Sequence, residues 1–193
     1  MVSRSAPLDD VLVYIDGICA NQHFSGDRTE SEATCVVVFK PATRDQSSTL
    51  ASSQKRGIVF RLESRGPTNV LHPQTGDRAV PRAAIAALEL QDWVKEGRIQ
   101  LTIATDSTYW VEGITEHIDT WRQHNWRDPA GEPIANKDLW EKLLSQVNLH
   151  AHWGCRVRFW LIDKSLNVCE EEMAKHAPMD LEAESARSLV IRK

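Results

Sequence analysis

Apolar and β-branched residues crowd into VLVYIDGICA (11–20) and ATCVVVFKP (33–41), and alternate with polar ones in GIVFRLES (57–64). These runs predict three strands, the second stopped by Pro41. No helical period falls in the polar NQHFSGDRTESE or in the Ser/Thr-rich PATRDQSSTLASSQKRG (41–57), so an antiparallel meander is expected. GPTNVLHPQTGD (66–77) reads as a loop. Beyond it the period becomes helical: Ile85, Leu88 and Trp93 share a face of a helix expected over 81–96, with Gly97 closing it. Proline is tolerated in a first helical turn and pushes the residue before it toward extended geometry, so this helix is expected to begin at Pro81, after Val80.

IQLTIATDS (99–107) predicts a fourth strand and CRVRFWLID (155–163) a fifth. Between them, TYWVEGITEHIDTWRQHNW (108–126) is helical with a break near Gly113, and DPAGEP (128–133) turns the chain. NKDLWEKLLSQVNLH (136–150) is a helix carrying Leu139, Leu143 and Val147 on one side. NVCEEEMAKHA (167–177) is a last helix before Pro178. Three strands followed by alternating helices and strands imply a single α/β domain around one mixed sheet. It is expected over 11–177, between a short lead (1–10) and a loose or peripherally docked tail (178–193).

The 193 residues suffice for one domain with a substantial core. No run of 18 apolar residues occurs, and MVSRSAPLDD lacks the apolar centre of a signal peptide, so an intracellular protein, cytoplasmic or nuclear, without a membrane partner is expected. Cys19, Cys35, Cys155 and Cys169 fit reduced, mostly buried thiols, a Cys19–Cys35 bridge being the alternative. The net charge of −4 means that a nucleic-acid partner needs a local basic patch. His150, His152 and Cys155 are a partial zinc set without a fourth ligand.

Asp16 and Asp106 each stand at the end of a predicted strand, and Glu170, Glu171 and Glu172 open the last helix. Two readings are open. The carboxylates hold a divalent cation, for which hard oxygen ligands are suited. Alternatively, the aspartates make ordinary turns and the glutamates complement a helix dipole.

Four stretches carry a family resemblance: YIDGIC, ATDSTYWVEGI, WRQHNWRDPAGEPIANKDLWEKL and RFWLIDKSLNVCEEEMAKHA. Together they resemble type 1 ribonuclease H over most of residues 11–177, and PQTGDRAVPRA is similar to the helix start of the filamentous-fungal branch, PQT-x-x-RAELRA. The resemblance implies a ribonuclease H-like α/β fold, a five-stranded mixed sheet in the order 3-2-1-4-5 flanked by helices. It also implies an endonuclease that cuts the RNA strand of RNA–DNA hybrids with two Mg2+ (or Mn2+) ions.

Carried over, Asp16, Asp106 and Glu171 are the catalytic, metal-holding carboxylates, with Glu171 replacing the usual Asp. Val80 occupies the place of the fourth carboxylate, which implies weakened activity. The loop LIDKSLN lacks the histidine that many members carry there. Asp77 either substitutes for the missing carboxylate or merely caps the loop.

Expected nucleic-acid contacts are Asn21, Asn136 and the segment holding Trp121, Arg122, Trp126 and Arg127, which reads alternatively as a packed tryptophan helix. Arg78 and Arg82 read as phosphate contacts or as solvated surface. The alternative function is a catalytically silent module of the same fold, binding nucleic acid or a protein partner.

Overall fold

The computed structural model describes residues 10–22, 30–39 and 56–176. Strands β1 (Val11–Gln22), β2 (Glu30–Phe39) and β3 (Arg56–Arg61) form the expected antiparallel meander. Strands β4 (Gln100–Thr105) and β5 (Arg156–Leu161) then join in parallel on the other side of β1, giving the sheet order β3-β2-β1-β4-β5. Parallel neighbours need long crossovers, and helices supply them. These are α1 (Gly76–Glu89), α2 (Thr108–Glu112), α3 (Ile118–Gln123) and α4 (Lys137–His152), with α5 (Cys169–His176) closing the described chain. The regions 1–9, 23–29, 40–55 and 177–193, including the expected lead and tail, lie outside the described residues.

Alternation along β1 sorts the two faces. Val11, Val13 and Ile15 point into the main core with Ala83, Ile85 and Leu88 of α1 and Leu139 and Leu143 of α4. Tyr14 faces the other way, where Val36, Val38 and Cys169 form a smaller core beneath α5. β2 is therefore buried on both faces, which accounts for its continuous apolar run.

The stretch between α2 and α3 departs from α-helix at Gly113–His117, a π-helical turn. This is the break expected near Gly113. A side chain at Gly113 would collide with the Trp140 ring and stand 3.1 Å from Trp121. Trp110, Trp121 and Trp140 are buried there, with Trp110 and Trp140 ring centroids 3.7 Å apart.

The helix start requires a correction. α1 begins at Gly76, not Pro81, and the proline lies inside it. Thr75 is the N-cap, its hydroxyl accepting the Arg78 amide at 3.2 Å. A proline within a helix leaves the carbonyl four residues back without its amide partner. Here that carbonyl belongs to Asp77, and the Trp110 indole donates to it at 3.1 Å. The helix also ends earlier than expected, at Glu89. Trp93 is buried as expected but from the following turns, its indole donating to the Ala87 carbonyl at 3.0 Å.

Trp110 and Pro81 should therefore be energetically coupled. Trp110→Phe is expected to cost about 1 kcal/mol by removing the indole donor from a part-buried carbonyl. In a Pro81→Ala background the cost should fall by about 1 kcal/mol, because the restored amide reaches Asp77. Urea denaturation of the four proteins in a double-mutant cycle measures the difference.

Candidate active site

The register of the sheet brings the two aspartates together. β1 and β4 pair in parallel up to Tyr14 opposite Ala104, and the same register continued sets Asp16 opposite Asp106. Asp16 is not at a strand end as the sequence suggested: β1 continues past it, paired with β2 as far as Gln22. Asp106 follows directly on the end of β4.

Asp16 Oδ1 accepts the Gly17 amide at 2.7 Å. Burial pushes the Asp16 carboxyl above the ordinary carboxylate range; the Gly17 amide opposes this, and the negative charges of Asp106 and Glu170 add to it. Burial is thus the main cause, and the neighbouring carboxylates add to it.

Gly17 sets where α1 sits. A Cβ there would collide with the Val80 amide nitrogen and would lie 2.7 Å from the Ala79 Cβ and the Gly76 carbonyl oxygen. The first turns of α1 are thus seated on the residue after Asp16, with the backbone of position 80 against it. Its side chain, an apolar valine, is buried in the main core.

Asn167 fastens the other side. Its Nδ2 donates to Asp106 Oδ1 at 2.7 Å and to the Ile15 carbonyl at 3.3 Å, while its Oδ1 accepts the Cys169 amide at 3.2 Å and so caps α5. The loop before α5 adds a cation: Lys164 Nζ stands 3.2 Å from Glu170 Oε1. The bond to Glu170 raises the lysine above its ordinary range, with smaller contributions from Asp106 and Asp16. Burial, reinforced by Asp16 and Asp106, pushes the Cys169 thiol up, so it stays protonated.

Asn167 and Lys164 were missed as site residues, and Glu170 was seen only as one of three glutamates opening the last helix. An Asn before an acidic helix start is a capping signal, and it was available in NVCEEE.

Among the described residues, no group of three His, Cys, Asp or Glu side chains converges to hold a metal ion. The pair fits a hard divalent cation in chemistry, two facing carboxylates with one held against its charge by burial. Glu171 is exposed on α5 and does not complete a three-ligand set with them. His150, His152 and Cys155 form no metal set either; the His150 ring is bonded to the Gln146 carbonyl. All four cysteines are free, which removes the Cys19–Cys35 bridge.

Several expected nucleic-acid contacts are corrected. Arg78 is neither a free phosphate contact nor solvated surface. It is buried, 2% exposed, and grips Asp138 through two nitrogens at 3.0 and 2.8 Å. It also donates to Asn136 Oδ1 at 3.0 Å, so that Asn136 is engaged within the protein. Burial opposes the Asp138 charge, but Arg78 outweighs it and holds that carboxyl below the ordinary range. Arg82 is bound by Glu63 at 2.6 Å.

Trp121 is buried in the aromatic cluster, so its packed reading holds. Trp126 packs half-buried against the core. Arg122 and Arg127 remain exposed, near Asp119 and bonded to the Gly131 carbonyl respectively. Asn21 lies on β1 opposite Ser31. Asp77 lies in the first turn of α1, its carbonyl taken by Trp110.

Comparison with known proteins gives a consistent result. The RNase H family model matches residues 9–154. A ribonuclease H of Actinobacillus succinogenes is 40% identical over 100 residues, 50% of this chain and 62% of that protein. One of Alkalilimnicola ehrlichii is 39% identical over 104 residues, 50% of this chain and 67% of that protein. The match thus spans about two thirds or less of these curated relatives.

Among solved structures, a type 1 RNase H with the type 2 active-site motif superposes with a TM-score of 0.58 at 22% identity, covering 90% of this chain and 72% of the other. A foamy viral protease-reverse transcriptase in complex with RNA/DNA hybrid superposes at 0.52 and 12% identity, covering 98% of this chain and 22% of that one. At these identities the likeness is one of fold.

Two outcomes follow from the charges. Arg78→Ala should destabilise by about 3–5 kcal/mol, because it strands a buried carboxylate. Arg78→Ala with Asp138→Asn should recover part of that loss in urea titrations. Asp16 works in the opposite sense. Its raised carboxyl means that the folded state binds the proton more tightly than the unfolded chain, so its ionisation opposes folding above the ordinary carboxylate range. Asp16→Asn should raise the melting temperature at pH 7, and the gain should vanish as pH falls below that range.

Proposed function

The chain belongs to the RNase H family, and from that premise we propose that it hydrolyses the RNA strand of RNA–DNA hybrids, at a rate lowered by the valine at position 80. The observation that supports this reading is the Asp16–Asp106 pair, set face to face by the β1–β4 register and tied to α5 by Asn167. Asp16 and Asp106 would hold a divalent cation, Mg2+ or Mn2+, with Glu171 of α5 as the third carboxylate; two ions serve the full reaction. When bound, such ions activate water and neutralise charge on the leaving oxygen.

The chain's own residues do the rest. Asn167 orients Asp106, and the Gly17 amide orients Asp16. The Lys164 ammonium lies beside Glu170 and within reach of both aspartates' charge, where it offsets negative charge at the site. Val80 can neither ligate a metal nor accept from a ribose hydroxyl. Losing one such electrostatic group lowers a rate by about 10²–10³-fold.

Arg122 and Arg127, exposed on one flank, would follow the nucleic-acid backbone with Trp126 and Asn21. The RAVPRA helix start supports a place near the filamentous-fungal branch, with an intracellular, cytoplasmic or nuclear, setting. Among the described residues no helix is long and apolar enough to cross a membrane.

A second reading is a silent module that binds nucleic acid or a protein partner without cutting. It is favoured by the absence, among the described residues, of a converged three-ligand group.

Cleavage of an end-labelled hybrid separates the two. On the nuclease reading the wild type cuts slowly, Asp16→Asn abolishes cutting, and Val80→Glu accelerates it by about 10²-fold or more. A wild type that stays inert in Mg2+ and Mn2+, with cutting only in Val80→Glu, establishes the silent module. Val80→Glu should also melt lower without Mg2+ and recover with it, since the new carboxylate is buried until a cation neutralises it.

A further inference from the structure

The edge strand β5 reads RVRFWL, and its side chains divide by face. Val157 and Phe159 pack toward the main core with α1 and α4. Arg156, Arg158 and Trp160 project the opposite way and are exposed, Trp160 by 50%. On that same side, α5 covers the half of the sheet nearer β2 through Cys169, Val168 and Met173. The β5 end is left with two guanidinium groups and an indole in a row.

We propose that this Arg156–Arg158–Trp160 face docks single-stranded nucleic acid, as an accessory to the carboxylate site. Among the described residues neither arginine has a carboxylate partner. Asp10, the acid that precedes β1, is taken by Gln100 at 2.7 Å. Two residues along a strand advance about 6.6 Å, so the arginines present separated, parallel cations suited to successive phosphates. Arginine binds phosphate and stacks on bases, and an exposed indole is a stacking platform. A duplex offers phosphates but keeps its base faces closed, and an acidic polypeptide offers charge without base faces. A single strand offers both.

The position also suits the site. Trp160 pairs with Ala104, two residues before Asp106, so a strand lying along the row runs toward the carboxylates. The patch supplies the local positive surface that a chain of net charge −4 requires for such a partner. The choice of nucleic acid rests on the hydrolase reading above, while the location rests on the β5 face alone.

The test measures fluorescence anisotropy of a labelled oligothymidine and of a blunt RNA–DNA hybrid with the full chain, Arg156→Ala/Arg158→Ala, Trp160→Ala and Trp160→Phe. Thermal melts confirm that each variant folds. The proposal expects the double variant to bind the single strand at least tenfold more weakly. The slope of log K against log salt should be shallower by about 1.4, or 0.7 for each lost phosphate contact. Trp160→Ala should also weaken binding, Trp160→Phe should restore it, and blunt-hybrid affinity should stay unchanged.

Equal single-strand affinity in the wild type and the double variant overturns the proposal. Competition by polyglutamate as effective as that by oligothymidine also overturns it and assigns the face to an acidic polypeptide. A wild type that binds the single strand through these residues but ignores the hybrid supports the proposal while removing the hydrolase reading.

Discussion

The α1 backbone meets strand β1 at Gly17 with no room for a side chain, and the seating of the helix beside Asp16 depends on it. A side chain at 17 would strike the Val80 amide, Ala79 and Gly76. With no Cβ, helix and strand meet backbone to backbone at the residue after Asp16. That contact explains how α1 keeps its place with an apolar residue, Val80, beside it. The helix is located by main-chain contact, by the Thr75 cap and by a buried aliphatic face, none of which needs a carboxylate at 80.

On the other side of the pair, Asn167 performs a comparable service with polar contacts. One amide group reaches the Ile15 carbonyl, the Asp106 carboxylate and the first amide of α5. Strand β1, strand β4 and the last helix are thereby joined at one side chain. The buried Arg78–Asp138 pair does the same between α1 and α4, with Asn136 as a third partner. Ion pairs of this kind hold geometry more than they add stability, because both charges have left water.

Much of this was legible in the sequence, for identifiable reasons. The meander and the mixed sheet follow from three helix-free strands and two later ones with helical crossovers, the strand order came with the family resemblance, and Asp16 and Asp106 were found because they interrupt apolar runs. Pro81 misled, because local propensity places a proline in a first turn and cannot register that Trp110, far along the chain, takes over the freed carbonyl. Arg78 misled in a related way. An arginine is read as exposed unless its partner is known, and Asp138 lies on another helix. Lys164 drew no notice because its significance comes from an ion pair with Glu170 that forms only once the loop and α5 are folded together. The Arg-x-Arg-x-Trp alternation of β5 was visible in CRVRFWLID, but which face stays open depends on where α5 ends.

The indole-to-carbonyl bond between Trp110 and Asp77 has a consequence for motion. A helix usually completes its opening turns with its own amides, so it can form and fray by itself. Here one carbonyl of α1 takes its protein donor from α2, since the proline has no amide to offer. The first turn of α1 and the segment carrying Trp110 are therefore coupled in their local opening. That turn holds the Gly76 carbonyl that rests against Gly17, so loosening of the tryptophan cluster reaches the residue beside Asp16.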